Sequence, residues 1–294
     1  ARLQPQYVFA TRVPELAVAL KFFPKAKALL VDWSDDYYRA FMGHLDDLQE
    51  VYESLMDEES KRTFRGYWLG RCSGQLDKIV FAETPHYICA GFIPERGAVV
   101  VDGGVFDGGS SAVFAEMGYK VYGFEMDKAN YEMAVTVAKE KNFVLENLGL
   151  GSYRHSVKYS PSGTSSTLDA KGSETAEIIS LDAYVREKNL PRIDFIKLDV
   201  EGEELEILKG ASATIARFKP ILAISAYHKV DDFWVLMNFI KSIRPDYEFA
   251  MRQFARTPEE EPEFFRKAVT MKHLVTLGLK PEYRTFGECV LFAG

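Results

Sequence analysis

From Ala98 onward the sequence alternates short apolar runs, rich in β-branched residues, with stretches of helical periodicity. This is the rhythm of βαβ units, whose crossovers set strands parallel and cover both faces of the sheet with helices. Strands are expected at 98–101, 120–124, 143–147, 193–198, 221–225, 247–252 and 288–292, with helices between the first five. The first crossover, 110–117, stops at Gly118, a residue that tolerates the left-handed conformation after a helix. The second starts at Asp127, an N-cap by type, and carries Tyr131, Val135 and Ala138 on one side.

The first 85 residues have another texture and read mainly as helix, with Tyr38, Phe41, Leu45, Leu48, Tyr52 and Leu55 at three- and four-residue steps. Asp46, Asp47, Glu50, Glu53 and Glu58 lie between them as a solvated face. The stripe is expected to pack on the main domain, with homodimerisation through these helices as the alternative. The division expected is therefore a helical N-terminal extension, 1–85, and a catalytic domain, 86–294. Within the latter, 160–174 reads as an irregular surface loop rich in Ser, Thr and Gly. Residues 256–286 read as a partly helical insertion, either a lid or a peripheral decoration.

A formal net charge of −7 argues against a general binder of phosphate backbones, which carries a basic face. Cys72, Cys89 and Cys289 are too few and too scattered for a disulfide framework or a zinc site, which suits a reducing, cytoplasmic setting. The longest apolar candidate, 16–23, contains Lys21 and is far short of the ~18 residues of a membrane span. No membrane, signal peptide or anchor is expected, and the acceptor expected is a small molecule instead of a nucleic acid.

The sharpest local signal is VVVDGGVFDGG at 99–109, where an apolar strand closes on Asp102 and turns through Gly103, Gly104 and Gly108 into a helix. The dinucleotide fingerprint G-x-G-x-x-G fails in both registers, since Val105 or Phe106 takes the second glycine slot. An NAD-dependent oxidoreductase is thus the weaker reading. What fits is an acidic residue closing the strand before G-x-x-x-G, the pattern of methyltransferases, with Asp102 and Asp107 suited to a cationic amine and sulfonium. Glu125, at the end of the next strand, is placed to accept two ribose hydroxyls.

Further on, IDFIKLDVEGEELEILKGA at 193–211 puts Lys197 and Asp199 on one face of a strand and Glu201 in the turn that follows. The next strand delivers Tyr227 and His228 to the same rim. In an open α/β sheet that rim is the ligand crevice, beside the first and fourth strands. His228 could act there as a base, or join Asp199 and Glu201 around a divalent metal that the sequence does not establish. The bland readings are a Lys197–Asp199 ion pair and a helix-dipole role for Glu201.

DGGVFDGGSS, GFEMD, IDFIKLDVEGEELEILKGA, KPILAISAYHKVDDFW and the terminal ECVLFA together resemble the FkbM family of methyltransferases over 87–294. The resemblance implies a seven-stranded, Rossmann-like class I methyltransferase fold and S-adenosylmethionine as donor. It also implies oxygen methylation of a sugar, polyketide or similar metabolite. Carried over by position, Asp102, Gly104, Gly108 and Glu125 belong to the donor side and Asp199, Glu201 and His228 to the acceptor side. Met126 departs from the proline common after the second-strand acid, and 256–286 departs from the family's usual length. A catalytically inactive Rossmann-like interaction module is the rival outside enzymology.

Overall fold

The computed structural model of the chain describes residues 7–10, 27–30, 35–73, 78–161, 167–255 and 288–294. The insertion at 256–286 and the apolar stretch at 16–23 lie outside them. In chain order come β1 (Tyr7–Ala10), β2 (Lys27–Leu30), α1 (Asp35–Gly43), α2 (Leu45–Ser54) and α3 (Glu58–Ser73). Next are β3 (Val99–Gly103), α4 (Gly109–Glu116), β4 (Lys120–Phe124), α5 (Lys128–Lys141) and β5 (Val144–Glu146). A group of short strands follows: β6 (Gly149–Leu150), β7 (His155–Ser160), β8 (Thr167–Leu168) and β9 (Glu174–Ile179). Then come α6 (Leu181–Glu187), β10 (Phe195–Leu198), α7 (Glu204–Gly210), α8 (Ser212–Phe218), β11 (Ile221–Ser225), α9 (Asp232–Ile243), β12 (Phe249–Phe254) and β13 (Glu288–Ala293).

The main sheet has seven strands in the order β12-β13-β11-β10-β3-β4-β5, and the pairings of β11, β10, β3, β4 and β5 are parallel. All seven strands expected from the sequence are present. Strand order reverses between β3 and β10, so the crevice of an open α/β sheet falls at their carboxyl ends, as expected. Both faces are covered, which is why Val100, Val101, Ile196, Leu198, Leu222, Ala223 and Ile224 are fully buried and the strands read as continuous apolar runs. Asp127 caps α5 by accepting from the backbone N–H groups of Ala129 and Asn130.

Two regions differ from the sequence reading. Residues 149–150, 155–160, 167–168 and 174–179 form a second, four-stranded sheet, β6-β9-β7-β8, that the sequence reading did not contain, although 169–173 within the expected loop of 160–174 is irregular. Its strands are two to six residues long, and β7 alternates exposed and half-buried positions until Tyr159, which gives little apolar signal. At the N-terminus β1 and β2 pair in parallel, an arrangement the helical reading did not contain.

The chain divides into two compact units, one of residues 1–85 and 250–290, the other of 86–249 and 291–294. In the first, the expected apolar stripe is interrupted at His44, whose non-helical backbone separates α1 from α2. Leu48, Val51 and Leu55 are buried, whereas Tyr38 and Leu45 are about half exposed. The buried face is completed by Phe64, Tyr67 and Trp68 on α3. Asp46, Glu50, Glu53 and Glu58 are exposed, as expected of a solvated face. Among the described residues no helix is long and apolar enough to cross a membrane.

Candidate active site

The register of the parallel sheet sets Lys197 of β10 directly beside Asp102 of β3. Both are buried, and the Lys197 ammonium lies 2.9 Å from Asp102 Oδ1. It also donates to the carbonyl of Gly104 at 2.7 Å. The second oxygen of Asp102 accepts the hydroxyls of Ser110 and Ser111, each at 2.7 Å. Asp102 is therefore tied to the turn from inside, through Lys197, Ser110 and Ser111. Lys197 pairs with Asp102, where the bland reading had an ion pair with Asp199, because neighbours across a parallel ladder lie closer than alternate residues on one strand.

Gly104 follows at φ +80°, and a Cβ there would stand 1.9 Å from the carbonyl oxygen of Asp199. Only glycine lets the β3 turn come this close to the end of β10. Phe106 is left-handed at φ 54°, and its N–H donates to Glu125 Oε2 at 2.8 Å. The other Glu125 oxygen accepts the N–H of Asp127, also at 2.8 Å. Burial pushes the Glu125 carboxyl above the usual carboxylate range, against the pull of these two N–H groups. Each oxygen keeps lone-pair capacity beyond the bond it makes. Asp107 is exposed and accepts the N–H of Gly109, and Gly108, at φ +96°, occupies the N-cap position of α4.

At the ends of β10 and β11 a different cluster forms. Asp199 accepts the hydroxyls of Tyr87 at 2.7 Å and Tyr227 at 3.1 Å. Burial alone would raise its pKa, but the charges of Lys197 and His228 and the Tyr87 hydroxyl hold it below the usual value. His228 is bonded through Nδ1 to Glu204 Oε1 at 2.8 Å. Its Nε2 faces Asp199 Oδ1 at 3.4 Å and Glu201 Oε2 at 3.8 Å. Burial opposes protonation of the ring, yet Glu204, Asp199 and Glu201 raise its pKa to about 9. The three carboxylates thus favour the protonated ring against its burial, which weakens His228 as a base near neutrality.

The structure thereby brings together Asp199, Glu201 and His228, and ion-pairs Lys197 with Asp102 while its charge still acts on Asp199. Sequence reasoning missed Tyr87 and Glu204. Tyr87 lies in a loop with no periodic signal. Glu204 was legible, since it shares a helical face with the buried Ile207 and Leu208 at the spacing of a core stripe.

Residues 102–257 match the FkbM methyltransferase domain, just over half of the chain. The chain belongs to the FkbM methyltransferase family. Its fold is similar to that of the FkbM methyltransferase from Methylobacillus flagellatus KT, at a TM-score of 0.67 and 22% identity over 88% of this chain. The chain spans 61% of that protein's length. Precorrin-6y C5,15-methyltransferase from Geobacter metallireducens GS-15 is more distant, at a TM-score of 0.40 and 13% identity, with 73% of this chain and 92% of that one covered. No curated protein matches the sequence. In the FkbM domain, then, the β3–β4 turns and the β10–β11 cluster lie on either side of the switch point of the sheet.

Proposed function

We propose that this FkbM domain is an S-adenosylmethionine-dependent O-methyltransferase acting on a hydroxyl of a small molecule or sugar. The observation that carries the reading is the pairing of two unlike rims across one switch point: Glu125 at the end of β4, and Asp199, Glu201 and His228 at the ends of β10 and β11. The donor set fits the cofactor. Glu125 has one lone pair per oxygen left for vicinal hydroxyls, and the 103–109 turn presents backbone groups to an amino-acid end. When bound, S-adenosylmethionine supplies an electrophilic methyl on a sulfonium.

The chain's own task is alignment, because an in-line displacement gains most from holding nucleophile and methyl at about 3–3.5 Å. Asp102 and Lys197 act as positioning residues that fix the β3 turn. On the acceptor side an alcohol is a weak nucleophile and needs an acceptor for its proton. Asp199 and Glu201 are the carboxylates at hand, with side chains 21% and 33% exposed, and a proton leaving the hydroxyl as the C–O bond forms would pass to one of them. The net charge of −7 favours a small acceptor over a nucleic acid.

The test uses S-adenosylmethionine carrying a ¹³C methyl group and a panel of hydroxylated metabolites. The expected product shows the carbon resonance of a methyl ether. Transfer only to amines or thiols would overturn the O-methyl assignment while leaving the family untouched.

A further inference from the structure

We propose that Tyr87 is a positioning residue for methyl transfer: its hydroxyl locks the Asp199 carboxylate at the end of β10, and its ring rests against Lys197, the cation that ties down the β3 turn. Three observations carry the assignment. The Tyr87 hydroxyl lies 2.7 Å from Asp199 Oδ2, the length of a charge-assisted O–H···O⁻ bond. The other oxygen, Oδ1, accepts the Tyr227 hydroxyl at 3.1 Å and faces His228 Nε2 at 3.4 Å. With a donor on each oxygen the carboxylate is held against rotation about its Cβ–Cγ bond, and the shorter of the two hydroxyl contacts comes from Tyr87.

The second observation is where the ring lies. Lys197 Nζ stands 5.1 Å from the Tyr87 ring centroid, and the same ammonium pairs with Asp102 and donates to the carbonyl of Gly104. A cation over a buried ring is attracted by its π face, and the electron density it withdraws makes the phenol a stronger donor. One side chain thus meets both the cation of the Asp102 pair and the carboxylate of the β10–β11 cluster. The third observation is how firmly Tyr87 is placed. It is 6% exposed and left-handed at φ 60°, a backbone that bulky residues seldom adopt and that persists where the surroundings enforce it. The loop behind it is anchored: the N–H of Phe92 bonds the carbonyl of Cys89, the Phe92 ring packs on Phe292 at 6.0 Å between centroids, and the Tyr119 hydroxyl donates to the carbonyl of Pro94. Filling this space would need only phenylalanine; the hydroxyl is there for Asp199.

The charged and titratable groups around Asp199 are Lys197 on β10, Tyr87 from its loop, and Tyr227 and His228 after β11, with Glu201 beyond the imidazole. Lys197, His228 and the Tyr87 hydroxyl all favour the ionised carboxylate against its burial. A donor that bonds the charged form lowers a carboxyl's pKa, so removing the Tyr87 hydroxyl lets Asp199 take up its proton at higher pH. That this carboxylate receives the acceptor's proton rests on the O-methyltransferase reading; the bond from Tyr87 to Asp199 does not.

The experiment is a ¹³C NMR titration of the full chain labelled at the aspartate side-chain carboxyl, with the Asp199 resonance assigned by its loss in Asp199→Asn. In Tyr87→Phe, Asp199 should titrate at higher pH than in wild type while the other aspartates stay where they are. Tyr227→Phe removes the longer bond and should move it less. No shift in a folded Tyr87→Phe protein would overturn the assignment, and circular dichroism checks the fold. If that variant unfolds, wild type labelled at tyrosine Cζ decides: the Tyr87 resonance should follow the Asp199 titration, and a flat response would overturn the bond. With a hydroxylated acceptor, Tyr87→Phe should lower turnover by about 10- to 100-fold, the cost of a misplaced group, and move the acid side of the pH profile upward. Affinity for S-adenosylhomocysteine should not change, because phenylalanine keeps the ring on Lys197. Wild-type turnover and pH profile in the variant would overturn the positioning role. A shifted Asp199 titration in a protein that transfers no methyl group to any hydroxyl would sink the O-methyl reading and leave the bond from Tyr87 to Asp199 standing.

Discussion

The two rims of the switch point use their acids in opposite ways. At the ends of β3 and β4, Asp102 is bound to Lys197, Ser110 and Ser111, and Glu125 to the N–H groups of Phe106 and Asp127. These carboxylates shape backbone. At the ends of β10 and β11, Asp199, Glu201 and Glu204 converge on a histidine whose Nε2 makes no hydrogen bond among the described residues. The difference is one of use: the acids of one rim are spent on their own turn, and those of the other face a single histidine. Gly104 joins them, because its missing Cβ lets the first rim touch the carbonyl of Asp199.

The comparison breaks first if the buried pair is not structural. Lys197→Met leaves Asp102 charged and unpaired in the core, and should cost about 3–5 kcal/mol in denaturant unfolding, a large share of a domain's stability. Adding Asp102→Asn should recover much of that loss. A folded, stable Lys197→Met protein that has lost turnover alone would place Lys197 among the catalytic residues. The second test is on the other rim. Asp199→Asn should lower turnover by roughly 100- to 10,000-fold, the size of acid–base effects, with donor affinity unchanged. Equal losses of turnover and donor affinity would show that the two rims are not separate.

Much of this was legible in the sequence, for physical reasons. The seven main-sheet strands announced themselves because strands buried on both faces must be apolar, and β4 and β11 have the expected limits to the residue. Asp127 was readable as a cap because its side chain answers a local need of the helix start. The four-stranded sheet of 149–179 was hidden because its short strands carry mixed polarity. At the site, residue identity placed Asp199, Glu201, Tyr227 and His228 on one rim. What spacing could not give was register, and register decides that Lys197 pairs with Asp102. Nor could spacing reveal that Tyr87, 112 positions before Asp199, supplies a hydroxyl to it.

The central claim, a nucleoside donor seated at the β3–β4 rim, is tested most directly by calorimetry of S-adenosylhomocysteine on wild type and Glu125→Ala. The account predicts one site per chain in wild type. The variant should lose about 1.5–3 kcal/mol for each charged hydrogen bond removed, roughly a 10- to 150-fold weakening per bond. Absence of binding to the folded wild type, or unchanged affinity in Glu125→Ala, would contradict it.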